Sequence, residues 1–267
     1  MRKLLLTLNL LATASAPVLA ADYFDGDIHK NDETWIQFNL MGAFDELPGE
    51  SSHDYLEMEF GGRSGIFDLY GYIDIYNLLS DPGSDKADED GKIYMRFAPR
   101  MSLNALIGKD LSFGPVQELY VSTLMEWEGN NSNDSLNTQK VGLGSDVMVP
   151  LLGKIGLNLY GTYDSNKKDW DGYQISTDWF KPFYFFENGS FIAYQGFLDY
   201  RFGIDDDDKA INSSHGGTMY NGIYWHFDQF ALGYGLDVYK DVYGLKDGGL
   251  AGKTSGFAHY IAVSYKL

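Results

Sequence analysis

The chain has no cysteine, so an exported protein of this kind must be held together by a large core or by a membrane rather than by disulfides. Basic residues are scarce: 20 Lys+Arg stand against 38 Asp+Glu, a formal net charge of −18, which leaves no basic footprint for nucleic acid. Beyond the first residues there is no apolar run of about 18 residues, so helical membrane spans are excluded. Mean hydropathy is −0.27, which by itself reads as soluble. A membrane β-barrel gives the same average, because it interleaves apolar and polar residues along each strand. What is abundant fits that alternative: 31 glycines, 20 tyrosines and an aromatic content of 16% suit a barrel with aromatic girdles.

The N-terminus reads as an export signal. Arg2 and Lys3 give a charged start, Leu4–Leu11 an apolar stretch, and Val18-Leu19-Ala20 a small-residue cleavage pattern. The expected organisation is a signal peptide over 1–20 and a barrel over 21–267. Without Arg2 and Lys3 the charged residues number 18 against 38, a net charge of −20.

The clearest structural pattern is Ile66–Asn77, IFDLYGYIDIYN. Phe67, Leu69, Gly71, Ile73 and Ile75 form one apolar set; Asp68, Tyr70, Tyr72, Asp74 and Tyr76 form an acid-and-tyrosine set. Period-two alternation over this length predicts a strand with lipid on one face and a confined wet space on the other. Thr34–Phe44 sets Ile36, Phe38 and Leu40 against Trp35, Gln37 and Asn39, and His53–Phe60 sets Leu56, Met58 and Phe60 against Tyr55, Glu57 and Glu59. Lys92–Leu103 alternates too, with Pro99 marking a bulge. Comparable runs follow to Gly256–Leu267, and Gly61–Gly65 reads as a tight reversal. The count is about twelve strands, an even number as bacterial single-chain barrels require. Long polar connectors (45–52, 78–91, 128–137, 165–169, 204–215, 240–255) alternate with short ones (61–65, 107–112, 150–153, 187–189, 227–228). The fold expected is all-β: an antiparallel up-and-down transmembrane barrel in the outer membrane, with the long loops outside the cell.

The inward-facing set carries the functional signal. Candidate solute-binding residues are Tyr55, Glu57, Glu59, Asp68, Tyr70, Tyr72, Asp74, Tyr76, Arg96, Arg100, Glu118, Tyr120 and Asp146. Arg96 and Arg100 lie between glutamate-rich strands, so some of these charges are expected to pair across the wall. Aromatic faces stack on flat rings, while carboxylates and amides bond sugar hydroxyls. Such a passage favours neutral aromatic-and-hydroxyl solutes such as nucleosides and disfavours nucleotides by charge. The alternatives are a general cation-preferring pore and a surface barrel with incidental conduction.

Hydrolysis has little support. Among the five histidines, His53 and His215 follow serines in Ser51-Ser52-His53 and Ser213-Ser214-His215, in expected loops without the fixed geometry a nucleophile and base need. Gly142-Leu143-Gly144 lacks a third glycine and reads as a strand pair. The acidic tracts lack calcium-loop spacing; they read as solvated faces, with weak divalent-ion bridging to lipopolysaccharide as the alternative. No metal site or cofactor is expected.

Taken in order, several motifs together resemble the Tsx family of nucleoside-specific outer-membrane channels, and more closely its OmpK relatives. They are Tyr55-Leu56-Glu57-x-Glu59, Phe67-Asp68-x-Tyr70-Gly71-Tyr72-x-Asp74, Pro99-Arg100-x-Ser102, Asp110-Leu111-Ser112-Phe113-Gly114-Pro115, Gly142-Leu143-Gly144-Ser145-Asp146, Trp170-Asp171-Gly172-Tyr173 and Tyr260…Val263-x-Tyr265. The resemblance covers nearly the whole mature chain. It implies a monomeric twelve-stranded barrel whose narrow pore holds nucleosides between aromatic and ionisable side chains. It also implies outer loops that bacteriophages use as receptors.

Overall fold

The computed structural model describes residues 27–79, 92–129, 136–205, 208 and 210–267. The expected signal peptide (1–20) and the acidic tract within 80–91 lie outside the described residues.

Thirteen strand segments make one sheet: β1 (Glu33–Glu46), β2 (Ser51–Ser64), β3 (Phe67–Tyr76), β4 (Ile93–Phe97), β5 (Arg100–Ser102), β6 (Val116–Glu128), β7 (Asn137–Val149), β8 (Gly153–Asp164), β9 (Asp169–Phe185), β10 (Phe191–Phe202), β11 (His215–Phe227), β12 (Phe230–Lys240) and β13 (Gly256–Lys266). Each pairs antiparallel with its neighbours. The sheet closes where β1 meets β13, with Leu40 beside Val263 on one flank and Leu56 of β2 on the other. β4 and β5 both lie between β3 and β6, so they fill one wall position and the barrel is twelve strands around. Closure leaves no unpaired edge, the condition for a sheet to sit in hydrocarbon.

Alternation sets which side each residue faces. Ile36, Leu40, Phe44, Phe67, Ile75, Leu143, Leu159, Ile223, Leu232, Ile261 and Val263 are exposed, an apolar band suited to lipid. The opposite set points inward, where Tyr120, Leu124, Tyr160, Tyr224 and Tyr260 are buried. Among the described residues no helix is long and apolar enough to cross a membrane; the strands do the crossing.

Several boundaries differ from expectation for identifiable reasons. Pro99 breaks its strand into β4 and β5, because it has no amide to give the ladder. Its carbonyl still accepts from the Thr123 amide at 3.0 Å and from Thr123 Oγ1 at 2.9 Å, which keeps β6 attached. Gly61–Ser64 is not a reversal but the end of β2, paired through Gly61–Tyr70 and Arg63–Asp68. β9 runs past Phe180 to Phe185, accommodating Pro182 at a register shift against β10. The connector 103–115 holds α1 (Leu103–Ile107), whose first turn is capped where Ser102 Oγ accepts from the Ala105 amide at 3.0 Å. The expected loop 45–52 shrinks to 47–50. Long and short connectors therefore do not alternate strictly. Even so, the strand ends that flank 77–92, 129–136, 203–214 and 241–255 lie at the end of the barrel opposite the start of β1 and the end of β13.

Candidate functional site

The lumen holds a cavity of about 830 Å³, within the range of about 300–1,000 Å³ typical of small-molecule sites. Of the expected solute-binding residues, Tyr55, Glu57, Glu59, Asp68, Tyr70, Tyr72, Asp74, Tyr76, Arg96, Arg100, Glu118 and Asp146 border it. Tyr120 does not. It lies behind the lining, fully buried, with the Arg100 guanidinium over its ring at 4.1 Å and its hydroxyl donating to Asp146 at 3.1 Å.

One wall is aromatic and acidic. Antiparallel pairing of β2 and β3 sets Tyr55 opposite Tyr76, Glu57 opposite Asp74 and Glu59 opposite Tyr72. Rings line this wall in contact: Tyr55 with Tyr76 at 5.7 Å, Tyr70 with Tyr72 at 6.2 Å, and Tyr72 with Tyr94 of β4 at 5.8 Å. Carboxylates placed directly across a ladder repel one another, yet their hydrogen bonds in the structure come from neutral donors. Asn39 donates to Glu57 at 2.5 Å and to Glu59 at 3.2 Å, Tyr70 to Glu59 at 2.9 Å, and Gln37 also to Glu59.

The arginines flank this wall, with Arg63 on β2 itself and Arg96 and Arg100 directly across the ladder from Tyr72 and Asp68 of β3, and they are paired. Arg63 grips Glu118 through both terminal nitrogens, at 2.6 and 3.1 Å. Arg100 bonds Asp68 and lies 3.0 Å from Asp146, which also meets Lys154 at 3.2 Å. Lys140 bonds Glu126. Arg96 reaches Asp199 at 2.5 Å and lies 3.5 Å from Glu126. The expected pairing across the wall is thus extensive, and it takes in the three arginines that flank the tyrosines.

Sequence reasoning missed several lining residues. Arg63 was hidden in the supposed reversal. Tyr220 and Tyr224 of β11 face Gly235 and Gly233 of β12, where any added Cβ would lie 2.2 Å from a tyrosine ring or hydroxyl. Glycines on the neighbouring strand make room for inward tyrosines, and that pairing was a signal available in the sequence. Tyr243 was missed for another reason: it sits in the connector 241–255 yet borders the cavity. Asp241 and Tyr243 there both have left-handed backbones, at φ 43° and 60°. Burial and the carboxylates of Glu46, Glu126, Glu128 and Asp237 push the Tyr243 phenol upward. Burial alone would raise Asp241, but the Asp247 amide, Lys240 and Ser213 hold its carboxyl below the ordinary range.

His53 does not lie in a loop but in β2, with Nδ1 2.9 Å from Ser51 Oγ and Nε2 3.0 Å from Glu46 Oε2. Among the described residues no group of three His, Cys, Asp or Glu is arranged to hold a metal.

A closed barrel with an apolar exterior and a polar, charged lumen defines a β-barrel channel of the outer membrane. Residues 30–267 match the family of Tsx, nucleoside-specific channel-forming proteins, and the chain belongs to that family. It is 71% identical over 270 residues to the outer membrane protein OmpK of Vibrio parahaemolyticus, with the whole of both chains covered. It is also 30% identical over 289 residues to the nucleoside-specific channel-forming protein Tsx of Salmonella typhimurium, covering 97% of this chain and 99% of the relative. Among solved structures the NanC porin superposes with a TM-score of 0.50 at 12% identity, covering 86% of this chain and all of that one; this likeness speaks for the fold. The chain is an outer-membrane channel for small solutes.

Proposed function

We propose that the channel favours nucleosides, and that the twelve lumen residues bordering the cavity, with Tyr120 supporting Arg100 from behind, form the passage they use. One observation carries this reading: tyrosine rings in contact run beside Glu57 and Glu59, whose carboxylates accept from Asn39, Gln37 and Tyr70. A base can stack on the rings while ribose hydroxyls donate to Glu57, Glu59 and Asp74. Phosphate on the same solute would meet those carboxylates unfavourably, so nucleotides are disfavoured. The relatives named as nucleoside-specific channels support the same solute class.

The chain works after loss of residues 1–20, as a monomer, with its exposed apolar band in lipid. The end bearing the longer connectors faces outward against lipopolysaccharide and is the surface open to bacteriophage. No catalytic role is assigned to Ser51 and His53: Ser51 is buried and neither residue borders the cavity, so their contacts serve to hold Glu46. The test is planar-bilayer conductance with added adenosine. Block at millimolar adenosine, and weaker block by AMP, is the expected result. Absence of block, with free passage of sugars of similar size, would replace this reading with a general cation-preferring pore.

A further inference from the structure

The Arg96–Asp199 contact joins β4 to β10, which are separated by four intervening strands around the wall. A side-chain bond between strands that far apart in a closed barrel cannot run along the wall; it must cross the interior. Both ends are braced. Arg96 stands beside Glu126 at 3.5 Å, and Asp199 accepts a second bond from Ser176 Oγ at 2.5 Å. Both charged side chains are largely withdrawn from solvent, at 13% and 12% exposure, where an ion pair is screened weakly. On the strands between them, Ser122, Leu124 and Thr162 are completely buried behind the lining, while Asn158, Tyr160, Gln174 and Ser176 border the cavity, so the pair stands within the passage.

We propose that Arg96 and Asp199 form a strut across the lumen that sets the cross-section of the passage beside the β2–β3 tyrosines. This rests on the channel and deepens the reading of its solute class. A flat ring can slide past the strut along Tyr72 and Tyr94, whereas a bulkier solute of equal mass is stopped. The strut is a selectivity element, and its loss widens the passage without removing the stacking face.

The experiment uses full-length protein with Arg96→Ala, Asp199→Ala and the double variant, each first shown to be folded by its heat-modifiable gel mobility. Arg96→Lys, which keeps the charge and much of the reach, guards against a folding failure of the alanine variants. Single-channel conductance and the size of the largest sugar admitted in liposome swelling are measured, with adenosine block in the same bilayers. Either alanine change is expected to raise conductance about twofold and to admit larger sugars, while Arg96→Lys stays near wild type. The double variant adds nothing further, because either change alone removes the strut. Folded single variants with wild-type conductance and size limit overturn the strut, as do two effects that simply add. Adenosine block separates the two readings. Its absence in wild type sinks the nucleoside reading and leaves a conductance change standing; its presence with unchanged conductance does the reverse.

Discussion

Tyr72, Ile73 and Asp74 are consecutive residues that meet different solvents. Tyr72 and Asp74 border the lumen, while Ile73 pairs with Met58 and Met95 on the outer face. Tyr72→Ala or Asp74→Ala is expected to change solute selectivity in swelling assays while the barrel still assembles. Ile73→Asp is expected to cost about 2 kcal/mol in urea titrations of folding into vesicles, because it sets a charge against hydrocarbon. If all three changes harmed only folding, the inside–outside assignment would be wrong. This direction was legible in the sequence because pleating alternates side chains strictly, whatever the partner strand. Depth behind the lining was not. Tyr120 shares the inward parity of its strand, but its burial depends on Arg100 and Arg63 arching over it from β5 and β2, a matter of register between strands.

At the scale of the element, the strands were readable and the ends were not. Gly61, Gly62 and Gly65 read as a breaker, yet β2 carries on through the first two, since the aromatic Tyr70 of β3 pairs there and the ladder outweighs local propensity. The connector 241–255, within the long loop expected over 240–255, is tightly stitched. Val242 is buried and its amide donates to Thr254 O at 3.0 Å; Ser213 donates to Asp241 at 3.1 Å; and Asp247 Oδ1 accepts from the Thr254 and Ser255 amides at 2.8 and 3.0 Å. Asp241 also accepts from the Asp247 amide at 3.0 Å. Its carboxyl is depressed in the folded state, the bonds from Asp247, Lys240 and Ser213 outweighing burial. The contribution to loop order is therefore complete above the ordinary Asp value of about 3.9 and is lost as pH falls through the lower folded value. Current noise is expected to stay flat from neutral pH down to about 4, then rise as the loop loosens and Tyr243 leaves the mouth. Asp241→Asn should show that noise already at neutral pH. A quiet Asp241→Asn channel would mean that the carboxylate does not hold the loop.

For the whole molecule, the placement of charge along the lumen matters as well as its sum. The chain's net charge of −18 speaks of acidity but not of where it acts. Arg63, Arg96, Arg100 and Lys154 each meet carboxylate partners, while Glu57, Glu59 and Asp74 gather on the tyrosine wall. Carboxylates outnumber basic side chains along the lining, and Glu57, Glu59 and Asp74 lie together on the tyrosine wall. An ion crossing there meets a negative potential, screened over about 10 Å at 0.1 M salt and over about 3 Å at 1 M. In a KCl gradient at low ionic strength the reversal potential is therefore expected to have the sign of cation preference and to shrink towards zero near 1 M. Combining Glu57→Gln, Glu59→Gln and Asp74→Asn should remove most of that preference at low salt. It should also weaken adenosine block, because amides hold ribose hydroxyls less firmly than carboxylates do. If the triple variant lost its cation preference yet kept full adenosine block, the ring ladder alone would hold the solute, and the carboxylates would serve only to repel anions.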